Sequence, residues 1–172
     1  MTVAILSLGT NLGDRFRYMR DMTEGVSRIL AQPVHISRLM ETEPVGVPEP
    51  RQRYLNRLVR GEFGAGAPQL LAACRRIESE LGRQRPSRWA PRSADVDILL
   101  FGDQRIARPD LEIPHPRMLQ RRFCIEGLVD VAADMTIPGT EQTPRQVIEN
   151  MPEEVRRQQV AFIDKPRNVQ AE

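Results

Sequence analysis

Short strand patterns and amphipathic helix patterns alternate along this chain, and several of the connections between them are only hairpin length. Those two observations predict an α+β fold, a ferredoxin-like sandwich in which helices flank a mixed or antiparallel sheet. A doubly wound parallel sheet would need long crossovers throughout. A chain of 172 residues, 40% of them hydrophobic, is long enough for one core. We assign 1–152 to a single domain and 153–172 to a polar tail.

Each element follows from local pattern. Val3 to Leu8 is an apolar run, read as a buried strand that ends in the turn Gly9-Thr10-Asn11-Leu12-Gly13. Asp14 caps a helix whose Phe16, Met19, Met22, Val26, Ile29 and Leu30 recur at helical spacing, with Pro33 as its stop. Val34 to Thr42 alternates like one half-buried strand. Pro44, Gly46, Pro48 and Pro50 make 43–53 a loop, and a second strand runs from Tyr54 to Phe63. Pro68 opens a helix with Leu70, Leu71, Cys74, Ile77 and Leu81 on one face and Gly82 as its stop. Asp95 to Phe101 is a strand ended by the Gly102-Asp103 turn; a short Ile106 segment and helices near Arg122–Val131 and Pro144–Met151 complete the pattern.

Composition narrows the function. The net charge of +2 does not mark a nucleic-acid or membrane binder, and no apolar run reaches the roughly 20 residues of a spanning helix. Met1 leads straight into a strand pattern, so the expected location is cytoplasmic. Cys74 and Cys124 have no neighbour at metal or redox spacing and read as core thiols. No Gly-Lys-Ser/Thr sequence exists, which excludes a P-loop.

Charge is unevenly spread. Arg83, Arg85, Arg88 and Arg92 fall in a window from Leu81 to Ala94 that holds no acidic residue, and Lys165 is the chain's single lysine. A phosphate would therefore be gripped by guanidinium forks. Directly after this window come Asp95 and Asp97, at i and i+2 on a strand, so both carboxylates share one face while Val96, Ile98 and Leu100 pack on the other. Paired carboxylates beside clustered arginines fit a magnesium-bound phosphate chain. Trp89, the only tryptophan, stands in a polar, proline-flanked segment and reads as a lid that stacks on a ligand. His115 lies between Pro114 and Pro116, while Tyr54 and Asn56 share a strand face and offer a ring and an amide to a planar polar ligand. Solvated charge and ordinary core packing would place such residues equally well taken one at a time.

Taken together, Gly9-Thr10-Asn11-Leu12-Gly13-Asp14-Arg15, Tyr54-Leu55-Asn56, Gly82-Arg83, Arg88-Trp89-Ala90-Pro91-Arg92-Ser93-Ala94-Asp95-Val96-Asp97-Ile98-Leu99-Leu100 and Pro114-His115-Pro116 with Arg121 and Phe123 resemble the 6-hydroxymethyl-7,8-dihydropterin pyrophosphokinase family over about residues 1 to 150. The resemblance implies a ferredoxin-like fold, ATP as co-substrate with two magnesium ions, a reduced pterin as acceptor, and a step of folate biosynthesis. It implies that Asp95 and Asp97 hold the metals and that Arg83, Arg85, Arg88, Arg92, His115 and Arg121 meet the ATP phosphates or the moving loop. By the same carry-over, Ile98 touches adenine, Trp89 closes over the site, and Thr42, Pro44, Val45, Tyr54, Asn56 and Phe123 form the pterin pocket. The expected partners are these small molecules alone, with no nucleic acid and no membrane, and the expected state is a monomer.

The family pattern is departed from at Ser93-Ala94, Glu43 and Gly127, and Asp110 and Glu112 add negative charge. These bear on substrate affinity and leave open a paralogue acting on a related pterin. Two other classes are the alternatives. A two-metal nucleotidyl- or glycosyltransferase would release pyrophosphate or another leaving group in place of AMP, and a non-catalytic RNA-binding module would need stacking aromatics, of which the chain has few at 5%.

Overall fold

In a computed structural model the described residues are 1–44, 52–82 and 94–170. Nine strands and five α-helices follow in the order β1 (Thr2–Thr10), α1 (Arg15–Ile29), β2 (Ala31–Ile36), β3 (Met40–Thr42), β4 (Tyr54–Phe63), α2 (Ala67–Glu80), β5 (Asp95–Phe101), β6 (Ile106–Arg108), β7 (Leu111–Ile113), α3 (Arg122–Ala132), α4 (Pro144–Glu149), α5 (Glu153–Arg156), β8 (Val160–Phe162) and β9 (Arg167–Val169), counted among the described residues. A 3-10 turn at Met118–Gln120 precedes α3.

The main sheet has the order β5-β1-β4-β2-β9, with β3 paired to β4 and β8 paired to β3. Every one of its pairings is antiparallel. The β-α-β-β-α-β succession with β1 and β4 at the centre is the split βαβ of a ferredoxin-like sandwich. Each face of the sheet carries helices. Ala4, Leu6 and Leu8 of β1 pack in a core with Met19, Met22 and Val26 of α1 and Leu70, Cys74 and Ile77 of α2. Ile5, on the opposite face, packs with Leu58 and with Cys124, Ile125 and Leu128 of α3. Alternate residues of one strand thus feed two cores. No helix among the described residues is long and apolar enough to cross a membrane.

Three local departures from the sequence pattern have physical causes. Leu6 faces Ile98 while Ile5 faces Leu100, so Leu99 is an extra residue in β5, a bulge. It reverses the alternation, and Leu100 joins Leu99 in the α3 core while Val96 and Ile98 stay on the α1/α2 side. The expected single strand Val34–Thr42 is broken into β2 and β3, because Ser37 Oγ accepts from Leu58 N at 2.8 Å and Arg38 N donates to Asp130 Oδ2 at 2.9 Å. Pro33 does not stop α1. The helix ends at Ile29, Leu30 is extended, and Pro33 lies within β2.

Residues 153–170 give α5, β8 and β9, which add to the sheet at β3 and β2. Asp164 anchors this segment by accepting from Leu39 N at 2.5 Å and pairing with the buried Arg57.

Candidate active site

β5 sets the position of the two carboxylates. Asp95 lies opposite Gly9 and Asp97 opposite Ser7, on the sheet face that carries α3. The amide of Val96 points the other way, off the open edge of the sheet, and donates to Glu78 Oε1 of α2 at 2.9 Å. Glu78 is only 4% exposed, so a buried carboxylate satisfies an edge donor and fixes where β5 begins. Ile98, two residues on, turns its backbone groups to the same outer edge, while its side chain is buried among the α1/α2 core residues.

His115 approaches Asp97 from the turn after β7. Its Nε2 is 3.9 Å from Asp97 Oδ2 and its amide donates to the Leu99 carbonyl at 2.9 Å. Arg117 N donates to His115 Nδ1 at 3.2 Å. Burial, helped by the neighbouring Arg121 and Arg117 guanidinium groups, pushes the imidazole pKa down to about 4. The ring is therefore neutral near pH 7, and with Nδ1 accepting, the proton sits on Nε2, the atom that faces Asp97. Arg121 stands at the start of α3 as the residue that lowers His115 most after burial.

The same cross-strand row continues past β1. Gly9 is opposite Asp95 on one side and Asn56 on the other, and Asn56 is opposite Met40. Strands are spaced by ~4.8 Å, which puts Asp95 and Asn56 about 10 Å apart with a glycine between them. A Cβ on Gly9 would stand 3.2 Å from Asn56 Oδ1. The glycine thus leaves an open floor. Asn56 is 4% exposed and its Nδ2 donates to Thr42 Oγ1 at 2.7 Å, which orients the amide. Tyr54 pairs with Thr42 and shares the face of Asn56, and Phe123 in the first turn of α3 is half-buried against the α3 core.

The fold therefore brings Asp95, Asp97 and His115 together, with Arg121 beside His115, and sets Thr42, Tyr54 and Asn56 along the same sheet face, under the helix that carries Phe123. Pro44 is the last described residue before a masked stretch of the loop; Val45, and likewise Arg83, Arg85, Arg88, Trp89 and Arg92, lie outside the described residues. Asp110 lies on an exposed turn and pairs with Arg108 at 3.4 Å. Sequence reasoning missed Gly9 as a floor, because β1 runs on through Thr10 where a turn was expected. It missed Glu78, whose only signal is a carboxylate on the apolar side of a helix. It missed Arg15 as well, whose Nη1 donates to Glu41 Oε2 at 2.9 Å and to the Arg53 carbonyl at 2.7 Å and so ties both flanks of the 43–53 loop.

Residues 5–133 match the family described as 7,8-dihydro-6-hydroxymethylpterin-pyrophosphokinase. The chain belongs to this family. It is 39% identical over 139 residues to the 2-amino-4-hydroxy-6-hydroxymethyldihydropteridine pyrophosphokinase of Bacillus subtilis, covering 80% of this chain and 83% of that protein. It is 34% identical over 140 residues to the like-named protein of Pseudomonas aeruginosa, covering 81% and 86%. It is also similar to the mitochondrial folate synthesis bifunctional protein of Arabidopsis thaliana, at 37% over 127 residues, which is 74% of this chain and 23% of that one. Among solved structures, the wild-type HPPK-DHPS chain of Plasmodium falciparum superposes with a TM-score of 0.67 at 15% identity, over 87% of this chain and 42% of that chain. At that identity the likeness speaks for the fold, and this chain spans less than half of that longer one.

Proposed function

We propose that this member of the pyrophosphokinase family transfers diphosphate from ATP to the hydroxymethyl group of 6-hydroxymethyl-7,8-dihydropterin, a step of folate biosynthesis, and that the row Asp95–Gly9–Asn56 is where the two substrates meet. That row is the observation that carries the reading. It sets a carboxylate pair suited to a phosphate chain one glycine away from an oriented amide suited to a ring edge.

In this reading the pterin lies over Gly9, its edge read by Asn56 and by backbone near Thr42, Pro44 and Val45, its faces against Tyr54 and Phe123. Ile98 contributes its outward backbone groups to adenine, because its side chain is buried in the core. Asp95 and Asp97 fit magnesium, a hard cation that takes few carboxylates and completes its shell with phosphate oxygens and water. Two such ions held there would neutralise charge on the transferred diphosphate. Neutral His115 donates from Nε2 to a phosphate oxygen, and Arg121 adds charge beside it. Arg83, Arg85, Arg88 and Arg92 serve the same phosphates, and Trp89 closes the site.

The hydroxymethyl oxygen attacks the β-phosphorus, the bond to the oxygen shared with the α-phosphorus breaks, and AMP leaves. The hydroxyl proton passes to a base, for which Asp97 is the nearest carboxylate to the row's open floor. Positioning and charge neutralisation account for the rest of the catalysis. We place the enzyme in the cytoplasm as a monomer, on its near-balanced charge and its small-molecule substrates.

Incubating the protein with ATP, magnesium and the dihydropterin, and following AMP with and without the pterin, tests the reading. Pterin-dependent AMP is the expected result. Pyrophosphate release, or AMP formed equally without pterin, would overturn it.

A further inference from the structure

The segment from Arg156 to Asp164 lies outside the residues that match the family, yet it touches both walls of the proposed pterin pocket. On one side, β8 pairs with β3, and Val160 is opposite Thr42. Gln159 reaches both flanks of the 43–53 loop: its N–H donates to Glu43 Oε1 at 3.2 Å and its Oε1 accepts from Arg53 Nη2 at 2.8 Å. On the other side, Gln158 Oε1 accepts from the Arg122 amide at 2.9 Å, while its Nε2 donates to the Gln120 carbonyl at 2.9 Å. Arg122 Nη1 adds bonds to the carbonyls of Arg156 and Gln158 at 3.0 and 3.1 Å.

Gln158 does the work of a missing cap. Helix α3 begins at Arg122 with Arg121 before it, and no local side chain accepts from its first-turn amides. An uncapped first turn frays, and a cap contributes about 1 kcal/mol to holding it. Phe123 sits in that first turn. Gln158 therefore fixes the height of Phe123 above the sheet, and the next residue fixes the strand ends that carry Thr42 and Tyr54. The far end of the segment is held by Arg38 stacked on the Phe162 ring at 3.8 Å and by Asp164.

We infer that Gln158 and Gln159 are positioning residues that set the width of the pterin slot from outside it, by joining the α3 wall to the β3/β4 wall. The inference rests on the function proposed above. It concerns the pterin alone, because the segment's described bonds reach neither Asp95, Asp97 nor His115.

The test measures kinetics and binding for Gln158→Ala, Gln159→Ala, Gln158→Glu and the control Lys165→Ala. Binding is read with 6-hydroxymethylpterin, an oxidised analogue, in the presence of a non-hydrolysable ATP analogue. Loss of one or two bonds predicts that KM and Kd for the pterin rise about tenfold in the alanine variants. The expected KM for ATP and the unfolding midpoint stay near those of the unchanged protein. Gln158→Glu keeps the acceptor for the Arg122 amide and is expected to recover most of the affinity, and Lys165→Ala to change nothing. Equal rises in both KM values, loss of cooperative unfolding, or unchanged pterin affinity would each overturn the positioning role. An unsubstituted protein that forms no pterin-dependent AMP would instead overturn the function on which it rests.

Discussion

Asp95 and Asn56 face the same cleft from either side of Gly9, in a single cross-strand row of β5, β1 and β4. The glycine is what keeps the row open. Its φ is ordinary for a strand, so space and not backbone freedom is at stake, and a side chain there would project over the floor. Gly9→Val is expected to raise the KM for the dihydropterin by about 10- to 100-fold, the usual cost of misplaced methyl groups in a fitted pocket. Steady-state kinetics with each substrate varied in turn, together with a thermal melt, checks it. An unchanged pterin KM in a folded variant would remove the pterin from this row.

Asp97 is accessible enough for ligands, with its side chain 38% exposed, and contributes no core volume. Asp97→Asn keeps the shape and removes a charge. Turnover is expected to fall by at least about a hundredfold, since a neutral amide is a poor magnesium ligand. Cooperative unfolding is expected to persist with a midpoint equal or higher, because Asp95 loses a like-charged neighbour. A melt that lost cooperativity would assign Asp97 a structural role instead.

The split βαβ sandwich was legible because each of its elements carries its own signal. The alternation of Ala4, Leu6 and Leu8 against Ile5 marks a strand between two cores, and Asp14 and Pro68 open helices by their own chemistry. What was not legible depends on partners distant in the chain. The Leu99 bulge is defined by Ile5 and Leu6, and the break after Ile36 is stabilised by Leu58 and Asp130. The carboxylate pair could be read from its i, i+2 spacing, whereas its closeness to Asn56 appears only when β1 is laid between β5 and β4. Gln158 and Gln159 look like tail residues until β8 pairs with β3.

The two thiols report on the cores beneath the site. Burial pushes Cys74 up to about 12, with Glu78 and Asp97 adding to it, and burial likewise holds Cys124 at about 12, against 9.0 for a free thiol. Both are protonated in the folded chain at pH 9, so iodoacetamide is expected to label neither until denaturant is added. The same shift has a sign for stability. Between pH 9 and 12 the unfolded chain releases protons that the folded chain keeps, so the thiols' contribution is full below pH 9 and declines as pH rises toward 12. A Cys74→Ala, Cys124→Ala double variant is expected to show a shallower loss of unfolding midpoint between pH 8 and 10.5 than the parent. Labelling in the native state at pH 8 would show that a core opens.

Gly127 stands where the family often has a larger residue, and the structure gives the reason. It lies in the middle of α3, where glycine costs about 1 kcal/mol relative to alanine, so propensity alone favours Gly127→Ala. Packing opposes it. A Cβ at this position would lie 2.8 Å from Leu58 Cδ1 and 3.1 Å from Leu58 Cγ. Leu58 is 0% exposed and packed among Ile5, Leu99, Cys124 and Leu128, so it cannot swing aside without displacing other core residues. Overpacking of this kind costs about 1–3 kcal/mol, which outweighs the gain in helix propensity. Gly127→Ala is therefore expected to be destabilising by up to about 2 kcal/mol in urea unfolding. Because α3 also carries Phe123, its outward shift is expected to weaken pterin binding while ATP binding holds. Gly127→Ala paired with Leu58→Val makes room for the new methyl and is expected to recover part of both losses. A variant more stable than the parent would mean that α3 does not rest on Leu58 as closely as the structure places it.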